Sequence, residues 1–129
     1  MSKDPQHEDF LSRWKLYLQY FNEHNIEGVR SMNDPNLKSY YNNEMTSHSF
    51  EHVAPYYLKD FEDGSQVDLI KVEDIKSIPD CGEIVLKLEL LKKTNDVKVQ
   101  TLVGVEHTFN VETKLMVKHE VYKVEVLNL

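Results

Sequence analysis

The sequence predicts an α+β domain, with three N-terminal helices packed on one face of a curved antiparallel sheet. Three observations carry that prediction. As far as Asp63-Gly64-Ser65 the apolar residues recur mainly at helical spacing. From Gln66 onward they alternate with a period of two. Helices followed by a run of long strands is the arrangement of helices layered on a sheet.

Residues 1–7 read as a disordered lead-in, ahead of a single domain over 8–129. Phe10, Leu11, Trp14, Tyr17, Leu18 and Phe21 form one stripe, which predicts a first helix over Glu8–Glu23. Asn25 is placed to cap a short second helix, Ile26–Met32. Asn33-Asp34-Pro35-Asn36 is a break, Leu37–Tyr41 a short strand and Asn42-Asn43-Glu44 a polar link. A third helix is predicted over Ser47–Phe61, burying Phe50, Val53, Ala54, Tyr57, Leu58 and Phe61. Pro55 inside it calls for a kink or a late start. Four strands follow: Gln66–Ile78, Glu83–Lys92, Val97–Val111 and Leu115–Leu127.

The last two strands carry the most informative pattern. Val103, Val105, His107, Phe109 and Val111 share one face, and the stripe resumes as Leu115, Val117, His119 and Val121. A three-residue turn centred on Thr113 sets His107 opposite His119, with Cβ atoms about 5 Å apart. Ile84, Leu86, Leu88 and Leu90 assign that face to the core, because a one-residue slip would bury Lys87 and Glu89. The same register sets Leu102 against Val124, Gly104 against Tyr122 and Glu106 against Glu120. Leu102, Tyr122, Val124 and Val126 then make the outer face apolar enough to predict a homodimer through it.

A net charge of −7 argues against nucleic-acid binding, which needs clustered Lys and Arg, and against anionic membranes. Cys81 is the only cysteine, so no intramolecular disulfide and no CxxC metal site is expected. Met1–Glu8 lack the apolar run of a signal peptide and no window is long enough to span a bilayer, so a reducing, cytoplasmic location is expected. His48 and His52 stand four apart, near Glu44 and Glu51, a spacing that can hold a divalent metal. With no HExxH pattern and no well-placed third ligand, no metal is expected. No cofactor is expected either.

The segment Tyr20-Phe21-Asn22-Glu23-His24-Asn25-Ile26-Glu27-Gly28-Val29 resembles the helix–turn–helix of the nuclear transport factor 2-like superfamily, which includes SnoaL-like proteins and ketosteroid isomerase. The element order and the terminal strand pair extend the resemblance over about Glu8 to Leu127. It implies a cone in which helices close over a concave sheet around a pocket, and dimerisation through the sheet. Trp14, Phe21, Tyr57, Val105, Phe109 and Val117 would line that pocket.

Tyr17 stands five residues before Asn22, like the pocket tyrosine of ketosteroid isomerase, and its hydroxyl would polarise a carbonyl. The reading its spacing favours is a core residue in the stripe with Trp14 and Phe21. His107 and His119 would form a proton-transfer pair, or simply two core histidines. Val105-Glu106-His107 resembles the isomerase segment bearing its oxyanion acid, but parity puts Glu106 on the opposite face. The general-base position falls near Tyr41, where no carboxylate stands; Glu44 is the nearest. The Asp–Arg–Asp set of the related epoxide hydrolases is absent, since Arg13 and Arg30 are the only arginines.

Two functions stay open. One is a small-molecule-binding cone protein with isomerase, dehydratase or cyclase chemistry at His107 and His119. The other is a non-catalytic dimeric module for ligand or protein binding. The expected ligand is a small hydrophobic or mixed-polarity molecule.

Overall fold

The computed structural model describes residues 4–94 and 99–128. Helix α1 spans Pro5–Asn22; Asp4 caps it by accepting the Gln6 N–H at 2.9 Å, and Pro5 opens its first turn. Pro5, Gln6 and His7, expected in the lead-in, are therefore helical, and Met1–Lys3 lie outside the described residues. Helix α2 covers Ile26–Ser31, with Asn25 accepting the Gly28 N–H at 2.9 Å. Strands β1 (Asn33–Tyr41) and β2 (Glu44–Ser47) form a hairpin about Asn42-Asn43. Both turn residues take left-handed backbone (φ 48° and 68°), as tight hairpins require and asparagine tolerates. Asn33–Asn36, read as a break, thus opens a strand, and the polar link is a turn followed by a short edge strand.

Helix α3 spans Phe50–Glu62, capped by Ser49, and starts late relative to Ser47, as Pro55 suggested. Strand β3 (Gln66–Ile78), a single 3-10 turn (Pro79–Cys81), β4 (Glu83–Lys93), β5 (Val99–Asn110) and β6 (Met116–Asn128) complete the chain. Val97 and Lys98, predicted to open β5, lie outside the described residues.

The six strands form one curved sheet in the order β2-β1-β6-β5-β4-β3. Every neighbouring pair is antiparallel except β1 with β6, so the sheet is mixed rather than wholly antiparallel. No short turn joins those two strands, and nothing forces them to run in opposite directions. The helices cover the concave face. Phe10, Trp14 and Phe21 of α1, Val29 of α2 and Phe50 of α3 pack with Ile84, Leu86, Leu88, Val105, Phe109 and Met116 of the sheet. The buried leucines of β4 are those the alternation assigned to the core.

Asn22 ties α1 to β3. Its Oδ1 accepts the Val67 N–H at 2.8 Å and its Nδ2 donates to the Val67 carbonyl at 2.9 Å, as a neighbouring strand would. Gly28 is small because Tyr20 lies on it: a Cβ there would stand 2.4 Å from the Tyr20 ring.

His107 pairs with His119, but the register shifts on both sides of them. At the turn, the Asn110 carbonyl accepts the Lys114 N–H (2.8 Å), and its side-chain oxygen accepts those of Glu112 and Thr113 (2.9 Å each). The loop is therefore Val111–Leu115, longer than the predicted turn, and Met116 rather than Val117 faces the core opposite Phe109.

Farther along, Gly104 faces Lys123 and Val105 faces Val121, leaving Tyr122 as an extra residue. This bulge corrects the predicted outer face. Leu102 lies opposite Glu125, whereas Val124 lies opposite Val103 and Val126 opposite Thr101, on the concave side. Tyr122 does cover the Gly104 backbone, since a Cβ there would stand 2.7 Å from its ring, and Lys87 sits 4.9 Å over that ring. The apolar surface that argued for an outer-face homodimer thereby loses both valines.

Candidate functional site

A cavity of about 500 Å³ opens between α1, α3 and the concave face, within the usual size range of small-molecule sites. Leu90, Val105 and Val121 floor it, and Tyr17, Phe21, Val53 and Tyr57 wall it from the helices. The β1–β2 hairpin adds Ser39, Tyr40, Tyr41, Thr46 and Ser47, and α3 adds Tyr56 and Asp60. His107 and His119 both line it.

Their rings stack with centroids 4.2 Å apart and planes 27° from parallel. Trp14, fully buried behind them, donates its indole N–H to Nδ1 of His107 at 2.8 Å. An indole can only donate, so that bond fixes Nδ1 as the acceptor and puts the proton of the neutral ring on Nε2. Burial pushes His107 well below the usual imidazole range, and the adjacent His119 pushes it the same way. Burial takes His119 down to about 3, although part of the residue stays open to the cavity. Nε2 of His119 is shielded and has no hydrogen-bond partner among the described residues. Both imidazoles are therefore neutral near pH 7.

The phenols form a second pair. The Tyr17 and Tyr57 hydroxyls lie 2.7 Å apart, so one donates to the other and one proton is left to point elsewhere. Burial raises Tyr17 to about 12 and Tyr57 well above the usual phenol value, so both stay protonated. The Tyr17 ring meets both imidazoles edge-on, with centroids at 5.8 and 6.0 Å. Among the described lining residues Asp60 alone is charged, and Lys92 neutralises it at 2.7 Å.

Of the residues expected around the pocket, Tyr17, Phe21, Tyr57, Val105, His107 and His119 line the cavity. Trp14 and Phe109 do not: both are fully buried behind its wall, Trp14 against His107 and Phe109 against Phe10. Val117 is also misplaced. The shift beside Phe109 turns it away, to a polar recess with Asp34, Thr108 and Lys118. Glu106 faces Glu120 and lies outside the cavity lining, as parity required.

Arg13 donates to the Lys114 carbonyl, and Arg30 pairs with Glu27 and Glu51, so neither arginine reaches the cavity. The His48 and His52 rings lie 5.5 Å apart, and no group of three or more metal-binding side chains occurs among the described residues. No described helix is long and apolar enough to cross a membrane. The hairpin residues are what the sequence reading missed. Asn42-Asn43 was the one available signal, because paired asparagines favour a two-residue turn.

No model of a known protein family matches the chain, and no curated protein does. Solved structures do. An NTF-2-like protein of unknown function from Shewanella oneidensis superposes with a TM-score of 0.74 at 9% identity, covering 90% of this chain and 98% of that one. An LEH-like epoxide hydrolase of M. tuberculosis gives 0.67 at 9% identity, over 92% and 84%. The epoxide hydrolase/cyclase-like enzyme SalBIII, associated with pyran ring formation in salinomycin, gives 0.66 at 9% identity, over 93% and 97%. At such identities the likeness concerns the fold and not the chemistry. The chain has the cone fold of the nuclear transport factor 2-like superfamily.

Proposed function

We propose that this protein binds a small, uncharged, largely apolar molecule that carries a carbonyl or hydroxyl oxygen. One observation supports this reading above the rest. An apolar cavity of about 500 Å³ is furnished with four neutral polar side chains, Tyr17, Tyr57, His107 and His119, and no unpaired charge among its described lining residues. The spare phenol proton is a donor for the ligand oxygen. An ionised ligand would lose its hydration with no counter-charge to replace it.

Trp14 is the only tryptophan and touches His107, so its fluorescence is a direct readout of occupancy. Titration with acetophenones should quench or shift that emission. The matched benzoates should bind at least about tenfold more weakly. Tyr17→Phe and Tyr57→Phe should each weaken the ketones by about 3- to 10-fold, the range of one neutral hydrogen bond. Equal affinity for ketone and benzoate sinks the proposal.

A catalytic reading, of the isomerase, dehydratase or cyclase kind, rests on the unpartnered Nε2 of His119 beside the Tyr17 ring. There His119 would take a proton and a tyrosine hydroxyl would hold the developing oxyanion. It stands second, because an imidazole with its pKa lowered to about 3 is a weak base and its Nε2 is shielded from the cavity. The test is His119→Gln: for an enzyme, turnover of the true substrate falls by about 100-fold or more while ligand affinity changes little.

A further inference from the structure

A neighbouring space adjoins the cavity. Beyond Leu90, Val105 and Val121 the concave face carries a second space of about 420 Å³, bordered by Tyr41, Lys92, Thr101, Val103, Val121 and Val124. Tyr41 and Val121 belong to both spaces. The register makes the floor continuous: Leu90 lies opposite Val103, Lys92 opposite Thr101, and Val103 opposite Val124. Side chains directly opposite in adjacent strands share one face of the sheet.

The Tyr122 bulge is what brings Val124 there. In an unbroken ladder, with Tyr122 paired to Gly104, Lys123 would stand opposite Val103 and a charge would end the apolar floor. Lys92 does not interrupt it either, because its ammonium reaches across to Asp60 of α3 at 2.7 Å and its methylene stem is left to the groove. Val124 keeps 45% of its surface exposed and Val126 58%.

We propose that this groove is the distal subsite of the ligand cavity, and that it holds the alkyl tail of an elongated, uncharged ligand. The oxygen-bearing end of that ligand lies at Tyr17, Tyr57 and the histidine pair. The inference rests on the ligand-binding reading above and narrows it to molecules longer than the inner chamber. Continuity of the floor, and the two residues shared by both spaces, argue for the ligand's own tail as the occupant.

The test is a series of para-alkylacetophenones, with tails from methyl to decyl, titrated by isothermal calorimetry against the wild-type protein and Val124→Asp. Each methylene that enters the groove should tighten Kd by about fourfold. That gain should persist through the longer tails in the wild type and flatten for them in V124D. If V124D does not fold, Val124→Thr keeps a β-branched strand residue and reads the same slope with a smaller change.

A wild-type series that binds but levels off at the short tails overturns the subsite and leaves the inner-cavity reading intact. If no acetophenone binds, the cavity reading falls and the subsite with it. A wild-type dimer in sedimentation that V124D converts to monomer, with the slope unchanged, assigns the groove to a second copy of the chain and also overturns the proposal.

Discussion

Asn22 occupies a helix end yet bonds like a strand residue, satisfying both backbone groups of Val67. Asn22→Ala should cost about 2–3 kcal/mol, measured as a lower denaturant midpoint with an unchanged slope, since two partly buried bonds are lost and their partners orphaned. His107→Phe should cost about 1–3 kcal/mol in the same assay, because the buried Trp14 N–H loses its acceptor. At this scale the sequence was legible where spacing alone decides. Parity placed the two histidines face to face, and the motif singled out Asn22, Asn25 and Gly28. Their partners were not legible: Val67, Trp14 and the hydroxyl pair meet across long separations that no local pattern encodes. Tyr17, readable as either a pocket hydroxyl or a core aromatic, is both, with its ring in the core cluster and its hydroxyl on Tyr57.

The strands were legible as elements and less so as registers. The span of β3 and the core face of β4 followed from alternation, because burying Lys87 or Glu89 has a large cost. The two shifts in the β5–β6 pair left no such mark. A bulge exchanges one set of side chains for another, and around Tyr122 both sets contain apolar residues. Strand β2 was missed for a related reason: three of its four residues are exposed at the sheet edge, so it has no alternation to read. The bulge makes a specific prediction. Deleting Tyr122 should remove the bulge while leaving Gly104 opposite Lys123 and Val103 opposite Val124, so Val124 stays on the concave floor and the gain from longer ligand tails persists. A deletion variant that folds but no longer distinguishes long tails from short ones would show that the pairing of Val103 with Val124 does not set the floor. Gly104→Ala should destabilise by about 1–3 kcal/mol, since its methyl meets the Tyr122 ring at 2.7 Å and one of them must move.

For the whole molecule the stacked histidines set an acid limit. Both have folded pKa values depressed below the unfolded value of about 6.5, His119 to about 3 and His107 well below. Between those limits the unfolded chain binds more protons than the folded one. Their contribution is therefore complete above pH about 6.5 and is lost as pH falls toward the folded values. Unfolding free energy should drop by up to about 1.4 kcal/mol per pH unit for each histidine across that window, and His119→Gln should remove one share of the slope. A flat profile between pH about 6 and about 4 would show that the rings are not held neutral. The parallel pairing of β1 with β6 has a consequence of another kind. The first strand finds its long neighbour only when β6, the last of the described strands, exists, so the cone cannot close before β6 has been made. Until then Phe10, Trp14, Phe21 and Phe50 have only the part of the floor that β3, β4 and β5 supply. Closure should be a late, slow event dominated by distant contacts, and the newborn chain should depend on chaperones until β6 docks.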